Sequence, residues 1–402
     1  MIMWELNEHL ENHRDELTAW MQDKRSQVTI PIYGSVDVRD AGWKVGVVDA
    51  NHFPAGFNNV SAQEGEELSG LFGEHLKRTH PECSWVHIYP ESHTRNPAYV
   101  ENIASIKKIV ERAGYRCTVG SPVLSEHAVL NGTSGPLELS QVNINEGDEL
   151  LVDGASPDLI LLNNDLTNGN IPGVASPNVT PPPHMGWFRR RKSQHYEALK
   201  PYVEEVANLL NLDPWHLMPE WFVSEDKCLT EDKCKQRLAS EIDEFLERLR
   251  TRYATLGIDR EPTVVMKNDS GTYGLGVMVL KSGEQILNLS NRKANRLRYA
   301  KGGVDVENYL IQEGIPTALK TGENEPLEPV VYLVDGEAAS WFYRINAKKS
   351  DMDNLNSPSA RFENYATTEN PYATEAHGWH ALVAELSMLA MGKEAERYAV
   401  DA

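Results

Sequence analysis

Short hydrophobic runs alternate with longer amphipathic stretches through the N-terminal part of the chain. Segments typical of buried strands occupy residues 44–49, 84–89, 115–119 and 158–162. The stretches at 62–80 and 97–113 favour helices, and another helical stretch opens the chain at about 4–27. Strands that alternate with helices indicate a parallel sheet covered on both faces. We therefore predict an α/β fold in which these four strands share one parallel sheet.

Polar residues follow three of the predicted strands, where ligands collect in open α/β sheets. Turn formation and helix capping explain any single cluster equally well. Their recurrence favours a pocket for a zwitterionic amino acid, which needs a cation for its carboxylate and oxygen acceptors for its ammonium. The candidate substrate-binding residues in these clusters are Asp49, Asn51, Asn59, Glu91, Arg95, Asn96 and Asn164.

A basic cluster, Arg189 to Lys192, follows a proline-rich linker or rigid loop at 175–183. Four consecutive cations on a helix point in different directions, so at most two can face one ligand. Solvated charges at a helix start are the simple alternative. In an acidic protein the cluster favours contact with a substrate carboxylate or phosphate, and Arg190 and Lys192 are our candidates.

The segment from Val264 to Leu280 combines two apolar strands, a lysine and a glycine-rich loop. The loop glycines allow backbone N–H groups to approach phosphate oxygens, and Lys267 supplies a charge. Turn geometry alone is the alternative explanation for the glycines. The sequence contains no G-x-x-x-x-G-K-[ST] motif, and a strand follows the loop instead of a helix, which excludes P-loop and Rossmann sites.

Downstream, YLIQEGI at 309–315 predicts a strand running into a polar hinge, and residues 328–346 predict a hairpin with an Asp335-Gly336 turn. Arg344 and Asn354 follow with an R-x(9)-N spacing. This succession resembles the glutathione synthetase-like branch of the ATP-grasp superfamily. The resemblance implies catalytic roles for Arg344, Lys267 and Asn354. It implies ATP contacts for Lys227, Lys267, Ser270, Gly271, Thr272, Tyr273, Gly274, Gly276, Gln312, Glu313 and Ile315.

A second resemblance spans the chain. The segments VVDANHFPAGFNN, ESHTRNPAYVENI, LLNNDLTNG and GWFRRRKSQHY are similar to those of the proteobacterial glutamate–cysteine ligase family. This similarity implies ATP- and Mg²⁺-dependent synthesis of γ-glutamylcysteine through a γ-glutamyl phosphate, the first step of glutathione synthesis. With it we predict a substrate-binding α/β domain at 1–180 and an ATP-grasp-like α+β catalytic domain at 181–402.

One departure from the ATP-grasp pattern concerns magnesium. The glutathione synthetase-like branch continues, after its asparagine, into strands that carry an aspartate and an E-x-N triplet as metal ligands. Here the chain ends in a predicted helix at 379–400, and Glu363-Asn364 lacks the triplet's spacing. The magnesium ligands therefore stay unassigned. Another carboxylate–amine ligase, a small-molecule kinase and a binding-only protein remain alternatives.

Composition limits the partners. With 59 acidic and 39 basic residues the net charge is −20, which argues against nucleic acid and anionic membranes as partners. No apolar run approaches a membrane span and the start is not signal-like, so we expect a cytoplasmic protein with small-molecule substrates. The oligomeric state is left open, with a homo-oligomer as one alternative. We expect Cys83 and Cys117 to be buried thiols and Cys228 and Cys234 to be exposed.

Overall fold

A computed structural model describes residues 3–93, 95–225, 229–270, 277–298, 308–364 and 376–400. Its helices are α1 (Asn7–Asn12), α2 (Arg14–Ser26), α3 (Ala62–Thr79), α4 (Pro97–Arg112), α5 (Lys192–Leu209), α6 (Asp232–Thr255), α7 (Glu284–Leu287), α8 (Asn291–Arg298) and α9 (His377–Val400). Short 3₁₀ turns add to these, including one at Met3–Leu6.

The strands of the first half are β1 (Tyr33–Asp40), β2 (Val45–Asn51), β3 (Trp85–Pro90), β4 (Arg116–Val119), β5 (Val129–Asn131), β6 (Pro136–Glu138), β7 (Val142–Ile144), β8 (Leu150–Val152), β9 (Leu159–Asn163) and β10 (Val179–Thr180). Those of the second half are β11 (Trp221–Ser224), β12 (Val264–Asn268), β13 (Met278–Leu280), β14 (Tyr309–Glu313), β15 (Leu327–Val334), β16 (Glu337–Ile345) and β17 (Arg361–Asn364).

A four-stranded parallel sheet has the order β10-β9-β3-β4. It confirms three of the four strands predicted for a parallel sheet, together with the two helices between them. A capping box of Ser61 and Glu64 starts α3, and the Asn96 side chain caps α4. The buried face of α4 packs against β3 and β4, that of α3 packs against α4 and the β15–β16 hairpin, and Phe72, Ile88 and Leu161 belong to this one core.

The fourth predicted strand, β2, lies elsewhere. It forms the edge of an antiparallel sheet with the order β17-β16-β15-β1-β2. This placement corrects the prediction that residues 44–49 belong to the parallel sheet. The neighbouring strand β1, which sequence analysis missed, pairs with β2 on one side and with β15 on the other.

The two faces of this antiparallel sheet differ, because side chains alternate along each strand. One face carries Val36, Val38, Ala50, Val331 and Leu333, which are buried in the same core as α9. The other face carries polar and aromatic side chains that line a cleft. The Asp335-Gly336 turn joins β15 to β16 with positive φ angles of 55° and 80°, as the predicted hairpin requires.

A third sheet, β11-β14-β12-β13, is antiparallel and packs against α6. Val264 pairs with Leu280 and Val265 with Gln312, which confirms the predicted strands on both sides of the glycine-rich loop. The predicted helices at 231–255 and 379–400 are confirmed as α6 and α9. The division at residue 180 stays a prediction, and the antiparallel sheet takes strands from both sides of it.

Two smaller expectations can be compared with the structure. Cys83 and Cys117 are both free; Cys117 is buried as expected, whereas Cys83 is only half-buried. Cys234 is buried and disulfide-bonded, which contradicts the exposed position expected for it, while Cys228 lies outside the described residues. Among the described helices none is long and apolar enough to cross a bilayer.

Candidate active site

The first of two clefts lies between the β12–β14 sheet and the β1–β2 hairpin, and we call it the lysine cleft. It encloses about 860 Å³ including its open mouth, and its lining includes Lys267, Gln312, Ile315, Arg344 and Asn354. Apolar side chains form one part of its wall, and charged side chains form another. An apolar slot that leads to a group of cations suits a planar base attached to phosphates.

Lys267 is held at the charged end of the lysine cleft. Its Nζ donates to the Val48 carbonyl at 2.8 Å and to Gln312 Oε1 at 2.7 Å. Burial lowers the pKa of Lys267 to about 8, although the nearby Asp49 opposes the shift. Gln312 in turn donates to the Tyr196 hydroxyl at 2.7 Å, so the lysine is fixed from several directions.

Glu313 has a different environment from its neighbour Gln312. Its carboxylate forms a buried ion pair with Lys44 and accepts from Trp215 Nε1 at 3.1 Å and from the Glu220 backbone N–H at 3.1 Å. Burial lowers the pKa of Lys44 to about 8 despite this pairing. The Glu313 side chain therefore braces the hinge strand from inside the fold.

Arg344 lies on the cleft face of β16 and is 7% exposed. Its Nη1 donates to Asp37 at 2.8 Å and to Glu328 at 2.7 Å. Burial alone would lower the pKa of Arg344, but the two carboxylates outweigh burial and raise it. Its buried Nε has no hydrogen-bond partner among the described residues. A buried donor without a partner is costly, so this N–H is available to an oxygen of a bound ligand.

Glu328 also pairs with Arg39, whose other guanidinium nitrogens donate to the backbone carbonyls of Asp351 at 2.8 Å and Asp353 at 2.7 Å. Arg39 and Glu328 both line the lysine cleft. The two arginines thus hold the cleft face of the sheet together, and Arg39 anchors the segment that carries Asn354.

The second cleft lies at the carboxyl ends of the parallel strands, and we call it the asparagine cleft. It encloses about 1930 Å³ including its mouth, and seven of the described asparagines line it: Asn51, Asn58, Asn59, Asn96, Asn102, Asn163 and Asn356. Asn102 Oδ1 accepts from the backbone N–H groups of Gly56 and Phe57 at 2.8 and 2.9 Å. Asn163 donates to the Pro54 carbonyl at 2.8 Å. These two amides fix the loop that closes one wall.

Acidic residues contribute to the other wall of the asparagine cleft. Glu91 accepts from the Asp165 backbone N–H at 2.8 Å, and both residues line the cleft. Among the lining residues Arg344 is the one arginine or lysine. The wall near Glu91 and Asp165 thus suits an ammonium group, and the Arg344 end suits an anion.

The two clefts meet on the antiparallel sheet. Asp37, Asp49, Arg344 and Asn356 line both of them. Asp37 and Asp49 are register partners across β1 and β2, so their side chains share the cleft face. Lys192 reaches this junction from the start of α5 and pairs with Asp49 at 2.5 Å. Burial would raise the pKa of Asp49, but Lys192 and Lys267 lower it overall.

The junction also holds a set of oxygen donors. Asp37 on β1 faces Asp49 on β2, and Asn51 lies two residues further on the same face. Within the described residues no three His, Cys, Asp or Glu side chains come together as a metal site. Two carboxylates and one amide nevertheless match the hard oxygen donors that Mg²⁺ prefers, since this ion keeps several water or phosphate ligands.

A family model decides the identification. The model for GshA, glutamate-cysteine ligase, matches residues 7–395. The chain belongs to the glutamate–cysteine ligase family. It is therefore an ATP-dependent ligase that joins glutamate to cysteine. No sequence among the curated proteins matches the chain.

One solved structure agrees with this family assignment. A protein from Methylobacillus flagellatus KT, provisionally named a gamma-glutamylcysteine synthetase, is 29% identical with a TM-score of 0.88, and the match covers 98% of this chain and 96% of that one. A glutathione synthetase-like effector from Globodera pallida is 9% identical with a TM-score of 0.42, covering 90% and 84%. D-alanyl-alanine synthetase A from Vibrio cholerae is 11% identical with a TM-score of 0.30, covering 79% and 81%. The likeness of the chain to these last two structures is weak.

In this glutamate–cysteine ligase family member, most described candidates from the sequence line a cleft. The lysine cleft contains Lys267, Gln312, Glu313, Ile315, Asn354 and Lys192. The asparagine cleft contains Asn51, Asn59, Glu91 and Asn96, and Asp49 and Arg344 belong to both. Ser270 follows the cleft residue Asn268 and bonds to its side chain without lining the cleft. Lys227, Gly271, Thr272, Tyr273, Gly274 and Gly276 lie outside the described residues.

Three candidates are not brought to either cleft. Arg190 is 2% exposed and forms a bidentate ion pair with Glu394, which corrects the prediction of a substrate contact. Asn164 accepts from the Leu166 backbone N–H at 3.0 Å, as a local turn residue does. Arg95 is exposed and lines neither cleft. Asn164 is therefore better explained as a turn residue, and Arg95 as a surface residue, than as substrate contacts.

Sequence analysis missed Asp37, Arg39 and Glu328. The first two lie on β1, where polar Ser35, Asp37 and Arg39 alternate with Val36 and Val38. That alternation is the signal of a half-buried strand and was available in the sequence. Glu328 lies in the predicted hairpin, directly opposite Arg344. The pairing of β15 with β16 places the Glu328 carboxylate where it accepts a hydrogen bond from Arg344.

Proposed function

We propose that ATP binds in the lysine cleft and glutamate in the asparagine cleft, with the γ-phosphate and the γ-carboxylate meeting at the junction. The observation that carries this proposal is the set of residues shared by both clefts, above all Arg344. A ligase that activates a carboxylate with ATP must bring these two anions together. Lys267, Lys192 and Arg344 supply the positive charge that offsets their repulsion.

Two steps follow. A γ-carboxylate oxygen of glutamate attacks the γ-phosphorus of ATP, and ADP leaves. The amino group of cysteine, in its neutral form, then attacks the carbonyl carbon of the γ-glutamyl phosphate. Phosphate leaves and the nitrogen loses a proton, which gives the amide. Arg344 is suited to both steps, since its free Nε–H can bond to an oxygen that gains negative charge at the phosphorus or at the carbonyl.

Magnesium is implied by the family, and we propose that Asp37, Asp49 and Asn51 hold it. Asp49-Ala50-Asn51 has the acid-x-Asn form of the triplet that seemed absent, and Asp37 lies opposite on the paired strand. In this proposal β1 and β2, from the N-terminal part of the chain, take the place of the strand pair that the branch has after its asparagine. The β1 strand lies beside β15, the partner of the Arg344 strand. When bound, the ion supplies charge neutralisation for the phosphates.

For amino-acid recognition we propose that Glu91 and Asp165 bind a substrate ammonium group. The amide groups of the asparagine cleft would donate to its α-carboxylate. Such a division suits glutamate, because the γ-carboxylate is left to extend toward the cationic junction. We further propose a cytoplasmic location, which fits an enzyme of glutathione biosynthesis, although the disulfide at Cys234 is unusual in that compartment. The net charge of −20 supports small molecules instead of nucleic acid as partners.

Phosphate release by the purified protein tests the function. We expect release from ATP with Mg²⁺ to require both glutamate and cysteine, and γ-glutamylcysteine to form in equal amount. Product analysis by mass spectrometry identifies the peptide. Phosphate release that is indifferent to cysteine, or transfer of phosphate to a stable hydroxyl product, would contradict the proposal.

A further inference from the structure

Arg190 lies behind the segment that carries two of the proposed metal ligands. Its Nη1 donates to the carbonyl oxygen of Ala50, the residue between Asp49 and Asn51. Ala50 itself points into the core on the opposite face of the sheet. The guanidinium therefore holds in place the backbone of Ala50, on either side of which Asp49 and Asn51 project.

Arg190 is itself held rigidly. Its Nε and Nη2 each lie 3.1 Å from an oxygen of Glu394 on α9. His195 Nδ1 lies 2.7 Å from the same carboxylate, and His195 Nε2 lies 2.9 Å from the Ser387 hydroxyl. All four side chains are at least 96% buried. A buried charge network that is fully paired in this way has a single well-defined geometry.

The position of β2 explains why its backbone needs this hydrogen bond from Arg190. In the described part of the chain β2 is an edge strand, so one side of its backbone has no neighbouring strand. Cations take the place of that strand: Lys267 binds the Val48 carbonyl and Arg190 binds the Ala50 carbonyl. The ladder with β1 holds Asp49 and Asn51 on one side, and on the other side their orientation depends on these two side chains.

We propose that Arg190 is a positioning residue for the metal site, which sets the direction of Asp49 and Asn51 through the Ala50 carbonyl while Glu394 and His195 hold it in place. This inference rests on the proposed metal ligands. It assigns to the C-terminal helix α9 a role at the junction of the clefts, although α9 contributes no side chain to either cleft.

The test compares Arg190 with Arg25, a partly buried arginine that makes similar contacts elsewhere in the fold. Arg25 donates to the Gly336 carbonyl at 2.6 Å and lies 3.5 Å from Glu385 of α9, so it also ties this sheet to that helix, but at the hairpin turn. We expect Arg190→Met to weaken Mn²⁺ binding about 10- to 100-fold, the usual effect of losing an outer-shell partner. Arg25→Met should leave Mn²⁺ affinity within about twofold of wild type. Electron paramagnetic resonance of free Mn²⁺, in titrations of the nucleotide-free protein so that no ATP analogue chelates the ion, measures this affinity directly.

Further variants separate the possible outcomes. Arg190→Lys keeps the charge beside Glu394 but lacks the planar fork that bonds Glu394 through two nitrogens and Ala50 through a third, so we expect an intermediate loss of Mn²⁺ affinity even if Arg190→Met fails to fold. Asn51→Ala tests the proposed metal site itself. Weaker binding in Asn51→Ala with unchanged binding in both Arg190 variants would overturn the positioning role alone. Unchanged binding in Asn51→Ala and Asp49→Asn would instead overturn the metal assignment.

Discussion

Replacement of Lys267 by methionine removes the cation at the charged end of the lysine cleft while keeping an unbranched side chain of similar length. A lysine ammonium has three N–H donors, and two of them go to Val48 O and Gln312 Oε1. One N–H is thus left for a phosphate oxygen without rearrangement. A hydrogen bond to a charged group contributes about 1.5–3 kcal/mol. We therefore expect ATP affinity to fall about 10- to 150-fold.

Calorimetric titration of ATP into the variant measures this loss. Lys235→Met is a matched control, because Lys235 is also buried and donates to a backbone carbonyl, that of Leu289, away from the cleft. Both variants leave a buried carbonyl without its donor and should lose stability, by about 1–3 kcal/mol. Only Lys267→Met should lose ATP affinity. A folded Lys267→Met protein with wild-type affinity for ATP would refute the assignment of the lysine cleft.

Three further predictions concern single side chains. Arg344→Met should lower kcat about 10²- to 10³-fold, the usual effect of removing one donor to a developing oxyanion, and steady-state kinetics with unchanged kcat would contradict its catalytic role. Glu91→Gln should raise the KM for one amino-acid substrate about tenfold or more and leave the KM for ATP unchanged, whereas an equal rise in all three KM values would indicate a structural role. Asp335 tests acid stability: burial would raise its pKa, but hydrogen bonds from His75 and Arg78 lower it to about 2 from 3.8. Because the folded-state pKa is depressed, its stabilisation of about 2 kcal/mol is present above pH 4 and is lost as the pH falls toward 2. Urea unfolding of Asp335→Asn should show lower stability at pH 7 and a smaller loss between pH 4 and pH 2, and equal losses in both proteins would count against the pairing.

Sequence patterns predicted most of the elements that define the clefts. The parallel strands β3, β4 and β9, their helices, and the β15–β16 hairpin were all recognisable, because apolar periodicity and turn residues are local signals. The assignment of β2 to the parallel sheet was wrong because strand partners depend on the whole chain. An apolar run such as Val45 to Val48 fits the edge of an antiparallel sheet as well as a parallel one.

For the site residues, too, local motifs could be recognised from the sequence, whereas long-range contacts could not. Residues in motifs with a fixed spacing, such as Lys267, Arg344 and Asn354, do line the lysine cleft. The prediction that Arg190 contacts a substrate was wrong, because a run of consecutive cations does not indicate which one turns inward. Arg190 pairs with Glu394, which lies more than 200 positions away in sequence. Asp49 and Asn51 were predicted to bind substrate, and sequence analysis left the magnesium ligands unassigned for a topological reason. Their strand pair was expected after Arg344, whereas the fold takes it from the N-terminal end of the chain.

The central claim is that glutamate is activated by transfer of the γ-phosphoryl group to its γ-carboxylate at the junction of the two clefts. Glutamate labelled with ¹⁸O in the γ-carboxylate tests it most directly, since mass spectrometry of the released phosphate reports where the carboxylate oxygen goes. If a γ-glutamyl phosphate forms, one ¹⁸O atom must pass from each glutamate to the phosphate as the amide is made. We predict that transfer in the presence of cysteine. Phosphate that carries no label while γ-glutamylcysteine accumulates would contradict the account.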